Sequence, residues 1–274
     1  MNRIHIACLV LLSAICLLSL APAARAQDDR DNNASTAWQI KTKITGKDLS
    51  TLCATQNLRI VDINLAQNLG KKTSTYDAVL VPNTGAFAKT WVFQWGVTPT
   101  AMGTYANDNG LRPADVAPYD VAGTVYVAVV YIKNSGVDAA SWALAWAGPA
   151  SSAISSASAG GAYRLIQLKN YTDSGSTYYM ALGITKDSRT DLYLPAATAG
   201  TIGADSSGYR IVTLIPDTGG TFDAILDTLN VGGYYWYYGE DEEFMFDAGT
   251  GTVFRPNSFA PDGTGVFAAT FIPG

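Results

Sequence analysis

A two-residue signature returns five times along this chain and limits what it can fold into. A hydrophobic or aromatic residue followed by arginine occurs at Leu58-Arg59, Leu111-Arg112, Tyr163-Arg164, Tyr209-Arg210 and Phe254-Arg255, at intervals of 53, 52, 46 and 45 residues. Self-similarity at a period of about 20–50 residues belongs to solenoids, propellers and arrays, whose units are too small to bury an apolar face alone. The drifting interval suits units joined by loops of unequal length.

Each unit reads in four parts. The Arg segment alternates, with Arg59, Val61 and Ile63 on one face and Ile60 and Asp62 on the other, so it reads as a strand. A Gly-, Asp- or Asn-rich turn follows, as at Asn68-Leu69-Gly70 and Asp173-Ser174-Gly175. The second strand carries an aromatic, any residue, then Ala: Tyr76-Asp77-Ala78, Tyr126-Val127-Ala128, Tyr179-Met180-Ala181, Phe222-Asp223-Ala224 and Phe267-Ala268-Ala269. That spacing puts an aromatic and a small side chain on one face of the pleat. A third strand is marked by Trp38, Trp91, Trp142 and Trp236, with Leu192 or Tyr193 in the remaining unit. A short helix comes last, clearest where Thr98-Pro99 provides a cap and first turn and Asn109-Gly110 a stop.

Trp38 stands 21 residues before Arg59, as Trp91 does before Arg112. The chain therefore reads as opening on a third strand and helix and closing on a first and second strand, two fragments of one unit. The expectation is a mainly β domain over 36–274, a pseudo-five-fold closed, propeller-like ring of β-β-β-α repeats, with four full units and one split between the termini. Closure would remove exposed sheet edges. The alternative is an open array capped by the two half-units.

Residues 1–26 read as a secretory signal peptide: Arg3 and His5, an apolar run over 6–20, then Ala24-Arg25-Ala26 as a cleavage site. A flexible polar lead-in, 27–35, precedes the repeats. Removing the leader takes away Cys8, Cys16 and the only histidine, leaving Cys53 as the sole thiol and no internal disulfide. With 18 Lys and Arg against 23 Asp and Glu the whole chain carries a net charge of −5, and losing Arg3 and Arg25 makes it more acidic. That balance argues against nucleic acid and anionic membrane surfaces as partners. No later stretch is apolar enough for membrane insertion. A secreted, extracellular or periplasmic location is expected.

The combined pattern resembles a known module. (Leu/Tyr)-Arg-x-x-Asp, (Tyr/Phe)-x-Ala-Val, Asn-x-Gly and Trp-x-(Phe/Leu)-x-Trp-Gly, clearest over 58–146, look like a tandem-repeat module of secreted bacterial and fungal proteins. In that family the module often accompanies serine hydrolases of the β-lactamase type, including the fungal polyglycine hydrolases. The likeness covers 36–271 and fades in the third and fourth units. It implies an extracellular accessory module rather than an activity of its own.

Catalytic motifs are scarce. A Ser-His-Asp or Cys-His arrangement needs a histidine outside the leader, and neither Ser-x-x-Lys nor Gly-x-Ser-x-Gly occurs. No catalytic residue, metal ligand set or cofactor motif is assigned, and the Asp-Gly turns lack calcium-loop spacing. The Arg column reads as side chains at the core edge, bonding carbonyls or an acid of the neighbouring unit; the rival reading is an anion-binding ring. Asp77 and Asp223 share a column, and a facing pair of carboxylates would suit glycoside hydrolysis. In Tyr234-Tyr235-Trp236-Tyr237-Tyr238, alternation turns Tyr235 and Tyr237 away from the Trp face, either as a stacking platform for a sugar or peptide or as packing against a neighbour. Glu240 and Asp241 open the adjacent acidic run. The expectation is a non-catalytic module binding carbohydrate or an extracellular peptide or protein, at Tyr235, Tyr237, Glu240, Asp241, Asp77 and Asp223. The alternatives are a carboxylate-dependent glycoside hydrolase and a structural accessory of a separately encoded serine hydrolase.

Overall fold

A computed structural model describes residues 37–85, 88–146, 148–205, 209–217, 219–228, 235–240, 254–261 and 267–273. They form five three-stranded antiparallel sheets, each built from one contiguous stretch of chain. The first contains β1 (Gln39–Thr45), α1 (Gly46–Gln56), β2 (Leu58–Gln67) and β3 (Thr75–Pro82). The second contains β4 (Trp91–Val97), α2 (Pro99–Asp108), β5 (Leu111–Val121) and β6 (Thr124–Lys133). The third contains β7 (Trp142–Ala145), α3 (Ala150–Ser158), β8 (Tyr163–Asp173) and β9 (Ser176–Thr185). The fourth contains β10 (Asp191–Thr198), α4 (Ala199–Asp205), β11 (Arg210–Pro216) and β12 (Thr221–Asp227). The fifth contains β13 (Tyr235–Glu240), β14 (Phe254–Pro261) and β15 (Phe267–Pro273).

The strand order corrects the expected phase of the repeat. In every sheet the second hairpin strand is central, flanked by the Arg strand and by the Trp-type strand that precedes it: β1-β3-β2, β4-β6-β5, β7-β9-β8, β10-β12-β11 and β13-β15-β14. The unit is thus β-α-β-β, and no unit is split between the termini, because β1 pairs with β3 and β13 with β15. Two features favour this phase. The central strand is the most apolar, with Tyr76 to Val81 all buried, so both its edges need partners. In the first four sheets the short helix joins the Trp-type strand to the Arg strand of the same sheet. The helix ends agree with the sequence: Thr45 and Thr98 accept from the amides of Asp48 and Ala101, and Asn57 ends α1 at φ 50°.

Among the described residues five apolar clusters each join two sheets, and a sixth, Ile166, Leu182 and Ile184, lies within the third. Ile63 and Tyr76 pack with Ala117, Tyr119 and Val130; Met102 and Tyr131 with Met180; Leu168 and Ala181 with Val212 and Ile225. Leu214 and Ala224 pack with Ala268, and Val61, Val79 and Val81 with Phe267, Ala269 and Phe271. The Arg strands also touch in series, β2 to β5, β5 to β8, β8 to β11, β11 to β14 and β14 to β2.

The arginines are structural. Arg59, Arg112, Arg164 and Arg210 are at most 2% exposed. Arg210 holds Asp227 with Nε at 2.9 Å and Nη2 at 3.1 Å, and Arg164 reaches the same carboxylate at 3.4 Å from the neighbouring sheet. Arg112 Nε donates to the Asp138 carbonyl at 2.9 Å, while Lys89 pairs with the Asp138 carboxylate at 2.6 Å. Arg189 grips Asp187 through Nε at 2.7 Å and Nη2 at 2.6 Å. The expected kinds of partner are found for Arg112, a carbonyl, and for Arg164, an acid of the neighbouring sheet, but Arg210 holds an acid of its own sheet, and all three are buried in the core rather than at its edge; the side chain of Arg255 lies outside the described residues.

Two outcomes follow. Arg210→Lys replaces a planar fork with a point donor and should lower stability by about 1.5–3 kcal/mol, measured by urea unfolding. Burial pushes the Asp187 carboxyl up, but the hydrogen bonds from Arg189 and the charges of Arg189 and Arg164 outweigh it and hold the group below its ordinary value of 3.8. A depressed folded pKa stabilises above the unfolded value and is lost as pH falls through the folded one. Asp187→Asn should therefore cost stability at neutral pH, and the gap to wild type should close in acid below pH 3.8.

Candidate functional site

Every Arg strand breaks register just after its arginine, between Ile60 and Asp62, Pro113 and Asp115, Leu165 and Gln167, Ile211 and Thr213, and Pro256 and Ser258. A bulge re-aims the residue that follows it. Here that residue is polar in each strand, and in four of them it is fully buried: Asp62, Asp115, Gln167 and Thr213. Thr213 Oγ1 donates to Gln167 Oε1 at 2.8 Å, Gln167 Nε2 donates to the Asp115 carboxylate, and Asp115 Oδ2 accepts the Ile63 amide at 2.9 Å. The relay links the fourth sheet to the third, the third to the second and the second to the first. Buried polar atoms demand partners, so this chain of bonds sets how the strands sit against one another.

Two residues further along, Asn64, Ala117, Lys169, Ile215 and Ala260 surround a cavity of about 330 Å³. Every Arg strand contributes one of them. Lys169 Nζ donates to Asn64 Oδ1 at 2.6 Å and to Asp62 Oδ1 at 3.3 Å, and Asn64 Nδ2 donates to Asp62 Oδ2 at 2.9 Å. Asn64 and Lys169 form the floor, with Asp62 bonded to both. Pro118, Tyr119, Tyr171 and Pro216 form apolar walls, and Asn68, Asp120, Asn170 and Thr172 stand towards the open end. Asn68, Asn170 and Thr172 are exposed. Tyr119 and Tyr171 are held rigidly: Tyr119 Oη donates to the Lys71 carbonyl at 2.7 Å, and Tyr171 stacks on Tyr178 at 5.7 Å.

A second groove of about 590 Å³ shares Asn170, Thr172 and Pro216 with this cavity. It runs past Thr177, Asp217, Phe222 and Tyr238. Tyr238 is 48% exposed, stacked on Trp236 at 5.4 Å and edge-on to Phe222 at 5.4 Å.

The residues singled out in the sequence fall elsewhere. Tyr237 is not a free platform: it meets Phe271 edge-on at 5.8 Å and joins the cluster between the fifth and first sheets. Each face of the strand is covered by a neighbouring sheet, so turning away from the Trp face does not mean facing solvent, and the exposed aromatic is Tyr238. Tyr235 pairs with Phe271 and Glu240 with Phe267 in register. Their side chains, like the whole of Asp241, lie outside the described residues.

Asp77 and Asp223 are buried and committed to local backbone. Asp77 Oδ1 accepts the Lys43 amide at 2.9 Å, and Asp223 Oδ1 accepts the Ala196 amide at 3.1 Å and the Tyr193 hydroxyl at 3.0 Å. Lys43 and Ala196 sit at bulges with φ of 50° and 44°, a conformation that side-chain-bearing residues resist. Where the equivalent bulge residue is glycine, Gly96 or Gly239, the facing residue is Ala128 or Ala268 instead of aspartate. The register also puts Ala128, not Val127, in the place of Asp77. Burial and then the Asp223 charge raise the Tyr193 phenol above its ordinary pKa, as expected of a phenol that stays a donor. Each of the two carboxylates thus serves a bulge of its own sheet.

Sequence reasoning missed the floor of the cavity. A polar residue three places after each arginine marks Asp62 and the relay, but Asn64 and Lys169 stand two places further on, where the other repeats have Ala117, Ile215 and Ala260, so the repeat itself does not mark them. Among the described residues no group of three or more His, Cys, Asp and Glu side chains could hold a metal, and no helix is long and apolar enough to cross a membrane. Cys53 is buried on α1, and burial pushes its thiol up to about 12, which suits packing rather than reactivity. No protein-family model matches the chain, and no curated protein matches it.

Removing a carboxylate that serves a strained bulge has a compensable cost. Asp77→Ala should destabilise by about 1–3 kcal/mol. Adding Lys43→Gly should return part of that loss, since glycine takes positive φ freely. A double-mutant cycle in urea measures both, and equal effects of Lys43→Gly in the two backgrounds would dissolve the pairing.

Proposed function

We propose that this chain is a secreted, non-catalytic module in which the five sheets close into a ring and the cavity where their Arg strands meet binds carbohydrate. Closure is supported by the contacts of β14 with β2 and by the shared cluster of Val61, Val79, Phe267 and Phe271. Secretion rests on the leader read over 1–26, and the accessory role on the resemblance carried by the repeat motifs.

The observation that carries the binding reading is the lining of the two joined depressions. The side-chain amide of Asn170, the hydroxyl of Thr172 and the carboxylate of Asp120 suit sugar hydroxyls. The Tyr238 ring, rigid against Trp236 and Phe222, suits the apolar face of a sugar. Because the cavity and the groove share residues, the ligand class is a linear oligosaccharide rather than a single sugar. An extracellular peptide is the rival ligand, and the hydrolase alternative loses its two carboxylates to the bulges they serve.

The test is a glycan and peptide array probed with the protein lacking residues 1–26, followed by calorimetry on the best ligand. Tyr238→Ala should weaken binding about tenfold, the scale of one lost stacking contact. Asn170→Ala should weaken it by a similar factor while leaving the unfolding midpoint unchanged. A hit confined to peptides, or oligosaccharide binding indifferent to both substitutions, would overturn the assignment.

A further inference from the structure

The floor of the cavity holds an arrangement that binding does not require. Lys169, Asn64 and Asp62 come from β8 and β2, strands of sheets that are not neighbours in the chain, and are 6%, 6% and 0% exposed. The ammonium nitrogen lies 2.6 Å from the Asn64 amide oxygen, which places the amide carbon one bond beyond it. One Asp62 oxygen touches Lys169 Nζ at 3.3 Å, and the other accepts from Asn64 Nδ2 at 2.9 Å. A single carboxylate therefore contacts both a nucleophilic amine and the nitrogen of a carboxamide that could leave. Proton shuttling between attacking and leaving groups is what a general acid–base catalyst does.

We propose that Lys169 and Asn64 are joined by an intramolecular isopeptide bond, formed by the folded protein itself with Asp62 as proton shuttle. Asp62 takes a proton from the Lys169 ammonium, and the free amine attacks Asn64 Cγ. Asp62 then takes the second proton from the attacking nitrogen as it returns the first to Nδ2. The Cγ–Nδ2 bond breaks and ammonia departs, picking up the remaining proton as ammonium. One C–N bond forms and one breaks, no oxidant is needed, and the product is an Nζ–Cγ amide. Fixing the partners in a folded core supplies the proximity that such a reaction lacks in solution. The cavity above Lys169 and Asn64 gives ammonia a way out. The bond would tie the first sheet to the third across the meeting point of the Arg strands, a staple in a chain that keeps only one thiol beyond its leader.

Peptide mapping of the purified, denatured protein decides this, because it does not depend on any variant folding. Trypsin should release 60–71 covalently joined to 165–186, uncut after Lys169, with a mass one ammonia below the sum of the two peptides. Fragmentation should locate the link at Asn64. Recovery of unmodified 60–71 with 165–169 and 170–186 would overturn the proposal. So would a joined species lighter by one water, which would place the bond on Asp62. Asp62→Asn, which keeps the shape but cannot shuttle the proton, should give the unlinked peptides and a lower unfolding temperature. Full cross-linking in that variant would remove Asp62 from the role. None of these readouts depends on a carbohydrate being bound.

Discussion

A three-stranded sheet apolar on both faces cannot stand in water alone, and most of this structure answers that constraint. Each sheet here shares apolar clusters with two others, with large buried aromatic side chains at the contacts: Tyr76 and Tyr119, Tyr131, Phe271. The repeat is therefore a requirement of packing, since a lone unit has no core of its own. The same constraint explains why aromatic residues on either face of β13 are claimed by different sheets, Trp236 by the fourth and Tyr237 by the first.

Burying both faces leaves the chain with a polar problem at the strands that come closest together. Two solutions appear at two levels. At the start of the Arg strands, arginine and aspartate share charge across sheets, with Arg164 and Arg210 on one Asp227. One turn of register later, bulges direct Asp115, Gln167 and Thr213 into a relay that satisfies each donor. A buried network of this kind adds little net stability but penalises any other stacking of the sheets, because each alternative leaves a donor or a charge unpaired.

The bulges in the Trp-type strands show the same economy. Positive φ is tolerated either by glycine, at Gly96 and Gly239, or by a residue whose amide is held by an aspartate, at Lys43 and Ala196. Asp77 and Asp223 look like candidate chemistry in a sequence because unpaired acids in apolar strands are uncommon. Their role is conformational, and it becomes visible only when the facing residue and its φ are known.

Much of the architecture was legible from periodicity alone: the number of units, the strand character of each segment and the capped helices all follow from short-range pattern and side-chain chemistry, whereas Arg59, Arg112, Arg164 and Arg210, read as lying at the core edge, are buried. The grouping of strands into sheets was not legible, because a repeated string reads the same from any starting point and only hydrogen-bond pairing selects the phase. The site was invisible for a related reason. Asp62, Asn64 and Lys169 are neighbours only because strands more than a hundred residues apart converge, and register, bulge and stacking together decide which of their atoms meet. Local sequence sets what each segment is; the tertiary contacts set which segments share a face.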